Sequence, residues 1–277
     1  MLPTPSTSHV SFDTIYEPAE DSFLFLDTLS SQSESAWLSE RFQRSNHPST
    51  PSERGPGTPP LVVEVGTGSG VILAFVAANA KEIFGRHDIL TLGTDVNSNA
   101  CGATRQTVLH AVREKRAEEA SSSSSQTVTE GHFLSSLTAD LCAPLRPGSV
   151  DVLIFNPPYV PTPDLPRLPS SDVQSSSEPV SRSAKFENDS YLLSLTYAGG
   201  VDGMETTNRL LDAIPDVLDA ARGVAYVLLC AQNKPEEVKE RIRAWGNGWA
   251  AETVGRSGMQ AGWEKLVIVR IWRERAL

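Results

Sequence analysis

The residues Phe155-Asn156-Pro157-Pro158-Tyr159 combine a carboxamide, two imino acids and a phenol at a spacing that can hold a flat nitrogen. Pro157 and Pro158 keep φ near about −65° and lack the N–H that would extend a sheet ladder. Each residue before a proline is pushed out of the helical region. The outcome is a stiff turn with Asn156 at its head and Tyr159 just beyond. The Asn156 carboxamide oxygen and the Pro157 carbonyl are two fixed acceptors, each able to take one hydrogen of an incoming –NH2 group. Tyr159 offers a planar, partly apolar surface against which an amide or a base can pack. The competing reading is a plain proline turn in which Asn156 bonds its own backbone.

Such a turn needs a strand behind it. Residues 150–154 form a short β-branched run bounded by Pro147-Gly148, which reads as a buried strand ending at Asn156. Earlier in the chain, residues 61–65 form a second buried-type strand. Gly66-Thr67-Gly68-Ser69-Gly70 breaks it, and an apolar helix follows over 71–78. This order begins a nucleotide-binding α/β unit, in which glycines let a ligand approach N–H groups at a helix start. Val71 stands where a dinucleotide fingerprint wants its last glycine, so the usual pyrophosphate seat is missing. Glu64, just ahead of the loop, would repel a pyrophosphate. It suits a cationic ligand such as the sulfonium and ammonium of S-adenosylmethionine. A structural Glu64 that caps the loop backbone is the alternative.

The next strand, 89–95, ends in Asp95, placed to accept ribose hydroxyls. A helix is expected over 100–116 and a third strand over 131–138, closed by Ala139-Asp140-Leu141. The Asp140 carboxylate is in reach of an adenine amine. His132 has no second metal ligand at a usable spacing, so no metal site is expected. At the other end, acidic and small residues in Tyr16-Glu17-Pro18-Ala19-Glu20-Asp21-Ser22 precede an apolar stripe from Phe23, as at a helix start. Past the Asn156 turn come an ordered stretch from Tyr191 to Gly200, a helix over 206–218, a strand over 223–230, a helix over 236–245 and a closing strand over 265–272. The strand count is near seven.

The length of 277 residues suits one generous α/β domain. Ser, Pro and Thr cluster at 1–8, 45–60, 119–130 and 161–183. Residues 1–12 are expected to be disordered, leaving one domain over 13–277 with low-complexity insertions near 45–60, 119–130 and 161–183. A net charge of −10 argues against affinity won by neutralising phosphates. Cysteines at 101, 142 and 230 lack metal or redox spacing, which fits a reducing compartment. Neither a signal peptide nor a membrane span is visible, so the cytoplasm is the default, with the nucleus a second place.

Three of these segments together resemble the HemK-type class I methyltransferases: Glu64 to Gly70, Asp95, and Asn156-Pro157-Pro158-Tyr159. The last also occurs in amino-directed DNA methyltransferases. Tyr16 to Ser22 and Gln260-Ala261-Gly262-Trp263-Glu264-Lys265-Leu266 are similar to the eukaryotic and archaeal branch, which methylates glutamine in a class 1 translation release factor. The resemblance implies a Rossmann-like α/β fold, a seven-stranded mostly parallel sheet with helices on both faces. It implies S-adenosylmethionine as cofactor, held by Ser22, Glu64, Gly66, Gly68, Asp95, Asp140, Leu141 and Asn156. Catalysis would fall to Asn156, Pro157 and Tyr159, with Ser22 standing where the family has threonine. It also implies a small zinc-binding activator subunit, for which the unprotected edge strand near His132–Leu137 is the expected seat. The rival expectations are adenine-N6 methylation of nucleic acid, protein lysine methylation, and a non-catalytic adaptor.

Overall fold

The computed structural model describes residues 2–42, 57–122, 131–166, 182–258 and 265–274. The chain runs α1 (Glu20–Leu29), α2 (Gln32–Phe42), β1 (Leu61–Val65), α3 (Val71–Ala78), α4 (Ala80–Phe84), β2 (Leu90–Asp95), α5 (Ser98–Ser122), β3 (His132–Thr138) and β4 (Val152–Phe155). It continues with α6 (Arg182–Tyr197), α7 (Glu205–Val217), β5 (Val224–Cys230), α8 (Pro235–Arg243), β6 (Trp249–Arg256) and β7 (Leu266–Arg273).

The strands form one seven-stranded sheet in the order β3-β2-β1-β4-β5-β7-β6. β1 to β5 pair in parallel, while β7 runs antiparallel to β5 and β6. This is the expected α/β fold. β4 and β5 are buried along their whole length, as their continuous apolar runs require. Two large apolar cores result, with two smaller clusters beside them. Phe25, Leu38, Phe75 and Tyr226 belong to the first; Phe155, Leu210, Ile214 and Ile242 belong to the second.

The order reverses between β1 and β4, so the chain leaves these neighbours in opposite directions and opens a crevice at their carboxyl ends. Val65 is in register with Phe155. The glycine loop and the proline turn therefore start side by side. Asp151 secures the far end of this pair. Its Oδ2 accepts the Leu61 N–H at 2.8 Å, and Arg222 Nε donates to Oδ1 at 2.8 Å, both side chains being buried.

Several expectations need adjusting. α5 continues to Ser122, so the first part of the expected 119–130 insertion is helical; 123–130 lie outside the described residues. α6 begins at Arg182, inside the expected 161–183 loop. Of that loop, 161–166 are irregular and 167–181 lie outside the described residues. Most of the 45–60 segment and Gln260 to Glu264 also lie outside them. Residues 2–12 form no helix or strand, yet Val10 is buried against Ile15, Ala100 and Ala103. Seven strands were expected and six were located; the seventh, β6, was not located, because its exposed positions and the irregularity between Thr253 and Gly255 blur its alternation. α2 was also missed, since its Ser, Gln and Glu hide a short apolar contact through Leu38 and Phe42. No helix among the described residues is long and apolar enough to cross a membrane.

Candidate active site

A cavity of about 300 Å³ lies at the carboxyl ends of β1, β2 and β4. Each predicted site residue, namely Ser22, Glu64, Gly66, Gly68, Asp95, Asp140, Leu141, Asn156, Pro157 and Tyr159, lines it. The sheet brings them together from five segments between Ser22 and Tyr159.

The glycine loop is stitched to the end of β2. Gly66 N–H donates to the Thr94 carbonyl at 2.7 Å, and Gly68 N–H donates to Asp95 Oδ2 at 2.9 Å. Gly66, Gly68 and Gly70 all have positive φ, which only glycine adopts without strain. Asp95 Oδ1 also accepts the Asn97 N–H at 2.8 Å. Each carboxylate oxygen keeps a further lone pair for a hydroxyl. Burial raises the Asp95 carboxyl above its ordinary value, against the pull of the Asn97, Gly68 and Val96 N–H groups.

Glu64 is 2% exposed. Its Oε2 accepts the Leu73 N–H at 2.9 Å, satisfying a first-turn donor of α3. Glu64 therefore caps the helix and lines the cavity as well. Burial pushes its carboxyl well above the ordinary 4.5, the Leu73 bond pulls it down, and the charge of Asp95 adds to the rise. A cation placed beside it would favour the ionised form.

Asp140 lines the cavity but is ion-paired with Arg209 of α7, a partner the sequence did not reveal. Leu141 has φ 48, and its carbonyl accepts the Thr94 hydroxyl at 3.0 Å. Among the described residues, the cavity wall carries the carboxylates of Asp21, Glu64, Asp95 and Asp140 against the single guanidinium of Arg209. That balance favours a cationic ligand and disfavours a chain of phosphates.

The Asn156 side chain is held by α1. Its Nδ2 donates to Asp21 Oδ2 at 3.2 Å, while its Oδ1 is buried and has no partner among the described residues. A buried carbonyl oxygen without a donor is costly, and one at the wall of a cavity is ready for a ligand N–H. Asp21 sits inside the Tyr16 to Ser22 stretch, but its contact spans 135 residues and left no local trace. Behind the turn, Gly199, Gly200 and Gly203 form a second loop against it. A Cβ on Gly199 would lie 2.5 Å from the Pro158 carbonyl oxygen, and one on Gly203 would overlap the Tyr159 carbonyl oxygen. Asn233 Nδ2 donates to the Asp202 carbonyl at 3.0 Å and holds that loop in place.

S-adenosylmethionine fits these residues. The orphaned Asn156 oxygen, the buried Glu64 carboxyl and the backbone-anchored Asp95 supply acceptors for its hydrogen-bond donors and its positive charge. No group of three or more His, Cys, Asp or Glu that could hold a metal ion occurs among the described residues.

No family model matches the chain. It is 30% identical over 277 residues to the eRF1 methyltransferase catalytic subunit mtq2 of Schizosaccharomyces pombe, covering 99% of this chain and 96% of that one. It is 28% identical over 273 residues to methyltransferase HEMK2 of Homo sapiens, covering 96% and 95%. A stretch of 110 residues, 40% of this chain and 32% of the relative, is 34% identical to the release factor glutamine methyltransferase of Moorella thermoacetica. With a switch-point crevice, an acidic cavity and a proline-locked carboxamide in place, the chain belongs to the HemK-type methyltransferases, in their eukaryotic and archaeal branch.

Proposed function

We propose that this protein methylates the side-chain amide nitrogen of the glutamine in the Gly-Gly-Gln motif of the eukaryotic class 1 translation release factor, as the catalytic subunit of a heterodimer. The observation that carries the reading is Asn156 Oδ1, buried and without a partner among the described residues, on a residue that lines the same acidic cavity as Glu64. A relative of matching length is named for eRF1, which points to the substrate.

S-adenosylmethionine, when bound, supplies an electrophilic methyl on a sulfonium. Glu64 and the Gly66 and Gly68 backbone would receive its charged end, Asp95 would take the ribose, and Asp140 and Leu141 would bound the adenine side. Ser22 and Asn156 complete the enclosure. A glutamine amide nitrogen is a weak nucleophile because its lone pair is delocalised. Asn156 Oδ1 and the Pro157 carbonyl would each accept one amide hydrogen and so fix the nitrogen; the transfer would leave the cofactor as a neutral thioether and release one amide proton to solvent. Tyr159 packs against the amide plane. This is positioning with electrostatic stabilisation and needs no strong base.

The acidic cavity and the net charge of −10 disfavour nucleic acid as substrate. The activator is proposed to add a strand to β3, which is an edge of the sheet with Leu134 53% exposed and Leu137 36% exposed. A single catalytic domain, working in the cytoplasm by default, completes the proposal. Incubating the protein with release factor, with and without the activator, and locating the methyl group by mass spectrometry tests it. Methylation of the motif glutamine supports the reading; methyl transfer to oligonucleotides and not to the release factor overturns it.

A further inference from the structure

One buried carboxylate of the cavity has no part in the steps above. Asp21 lies in the first turn of α1 and is 3% exposed. Its Oδ1 accepts the Ser22 N–H at 2.6 Å and the Ser22 hydroxyl at 3.3 Å. Its Oδ2 accepts Asn156 Nδ2 at 3.2 Å. On the other side of the same carboxamide, Asn156 Oδ1 is buried without a partner among the described residues.

A carboxamide can turn over about its last bond with almost no change in shape, so sterics alone do not choose which end faces the cavity. Charge does. A carboxylate only accepts, so the end turned toward Asp21 must be the NH2. Turning the group over would press Oδ1 against the Asp21 oxygens and present two N–H donors to the cavity. Those donors would face the N–H donors of an incoming amide. We propose that Asp21 is a positioning residue that holds the Asn156 carboxamide in the one orientation whose oxygen faces the substrate nitrogen. The proposal rests on the amide-methylation reading.

The test exchanges donor and acceptor. In Asp21→Asn the partner at 21 gains an NH2, so the Asn156 orientation is no longer fixed, and turnover falls about 10²-fold while the cofactor KM changes little. Asn156→Asp alone sets two carboxylates face to face and is at least as impaired. In the double variant Asp21→Asn with Asn156→Asp, the new amide donates to the new carboxylate, whose other oxygen again faces the cavity. Turnover of the double variant is expected to exceed that of Asn156→Asp by about tenfold. Turnover is counted per folded protein, measured by circular dichroism, so relief of the carboxylate repulsion through stability alone would not register as this rescue. Wild-type turnover in Asp21→Asn, or a double variant no better than Asn156→Asp, overturns the proposal.

A second measurement is independent of the reaction. In an NMR spectrum, the Asn156 side-chain NH2 signal, identified by its loss in Asn156→Ala, is expected to shift and to exchange faster with solvent in Asp21→Asn. An unmoved signal overturns the positioning role. If wild-type protein fails to methylate the release factor, the functional reading falls, and this signal still decides whether Asp21 orients Asn156.

Discussion

Asn156 and Glu64 stand at the ends of neighbouring strands, and each has one polar atom tied to the fold and one side turned to the cavity. For Asn156 the tied atom is Nδ2, and truncation removes a preorganised acceptor. Asn156→Ala is expected to lower turnover about 10²–10³-fold with cofactor affinity little changed, measured by steady-state kinetics and titration calorimetry. For Glu64 the consequence concerns pH. Its carboxyl is raised in the empty fold, chiefly by burial. Its contribution to stability is therefore fully present below the ordinary 4.5 and is lost as pH rises through the raised value. A cationic ligand favours the ionised form, so cofactor affinity should grow with pH across the same window. Glu64→Gln is expected to raise the melting temperature of the empty protein at neutral pH, weaken cofactor binding about tenfold or more and flatten its pH dependence. Unchanged affinity in that variant would remove Glu64 from the cofactor site. The individual residues were largely legible in the sequence, because Asp95 ends an apolar strand, Asn156 follows one, and Glu64 is a lone charge inside one just ahead of the glycines. Asp21 and Arg209 were not, because each acts through a contact distant in sequence, to Asn156 and to Asp140.

The strand-loop elements owe their placement to a few buried polar links. Asp151 ties the start of β1 to Arg222, and removing it leaves a buried guanidinium without its carboxylate. Asp151→Ala is expected to cost about 3–5 kcal/mol of stability, read from chemical denaturation. The proline turn depends on the loop behind it. At Gly203 the backbone has φ 67 and no room for a Cβ beside the Tyr159 carbonyl. Gly203→Ala is expected to lose about 1–3 kcal/mol from backbone strain and to lower turnover by displacing the turn. A variant with normal turnover would show that the turn holds its shape without this support. Strands with continuous apolar runs, β1, β4, β5 and β7, were readable from the chain. β6 was not, because its weak alternation carries no clear period. The polar stretch that forms α2 likewise gives little hint of a helix, since Leu38 and Phe42 find their partners only in the folded core.

Across the whole molecule, the strand order does two things: it opens the crevice between β1 and β4, and it leaves β3 at an edge. Sequence pattern located six of the seven strands, but the antiparallel β7 between β5 and β6 is a property of the assembled sheet. The exposed Leu134 and Leu137 on β3 make a prediction at this scale. Leu134→Glu should abolish co-purification with the activator while the protein alone stays folded by circular dichroism. Co-purification at wild-type yield would place the activator on another face. The central claim is that the acidic cavity and the proline-locked oxygens serve an amide nitrogen, and it is tested most directly by the methylated product itself. Mass spectrometry of release factor treated with the protein, its activator and S-adenosylmethionine should find one methyl group on the side-chain nitrogen of the Gly-Gly-Gln glutamine, absent with Asn156→Ala. A methyl group found only on lysine or on a nucleic-acid base would contradict the account.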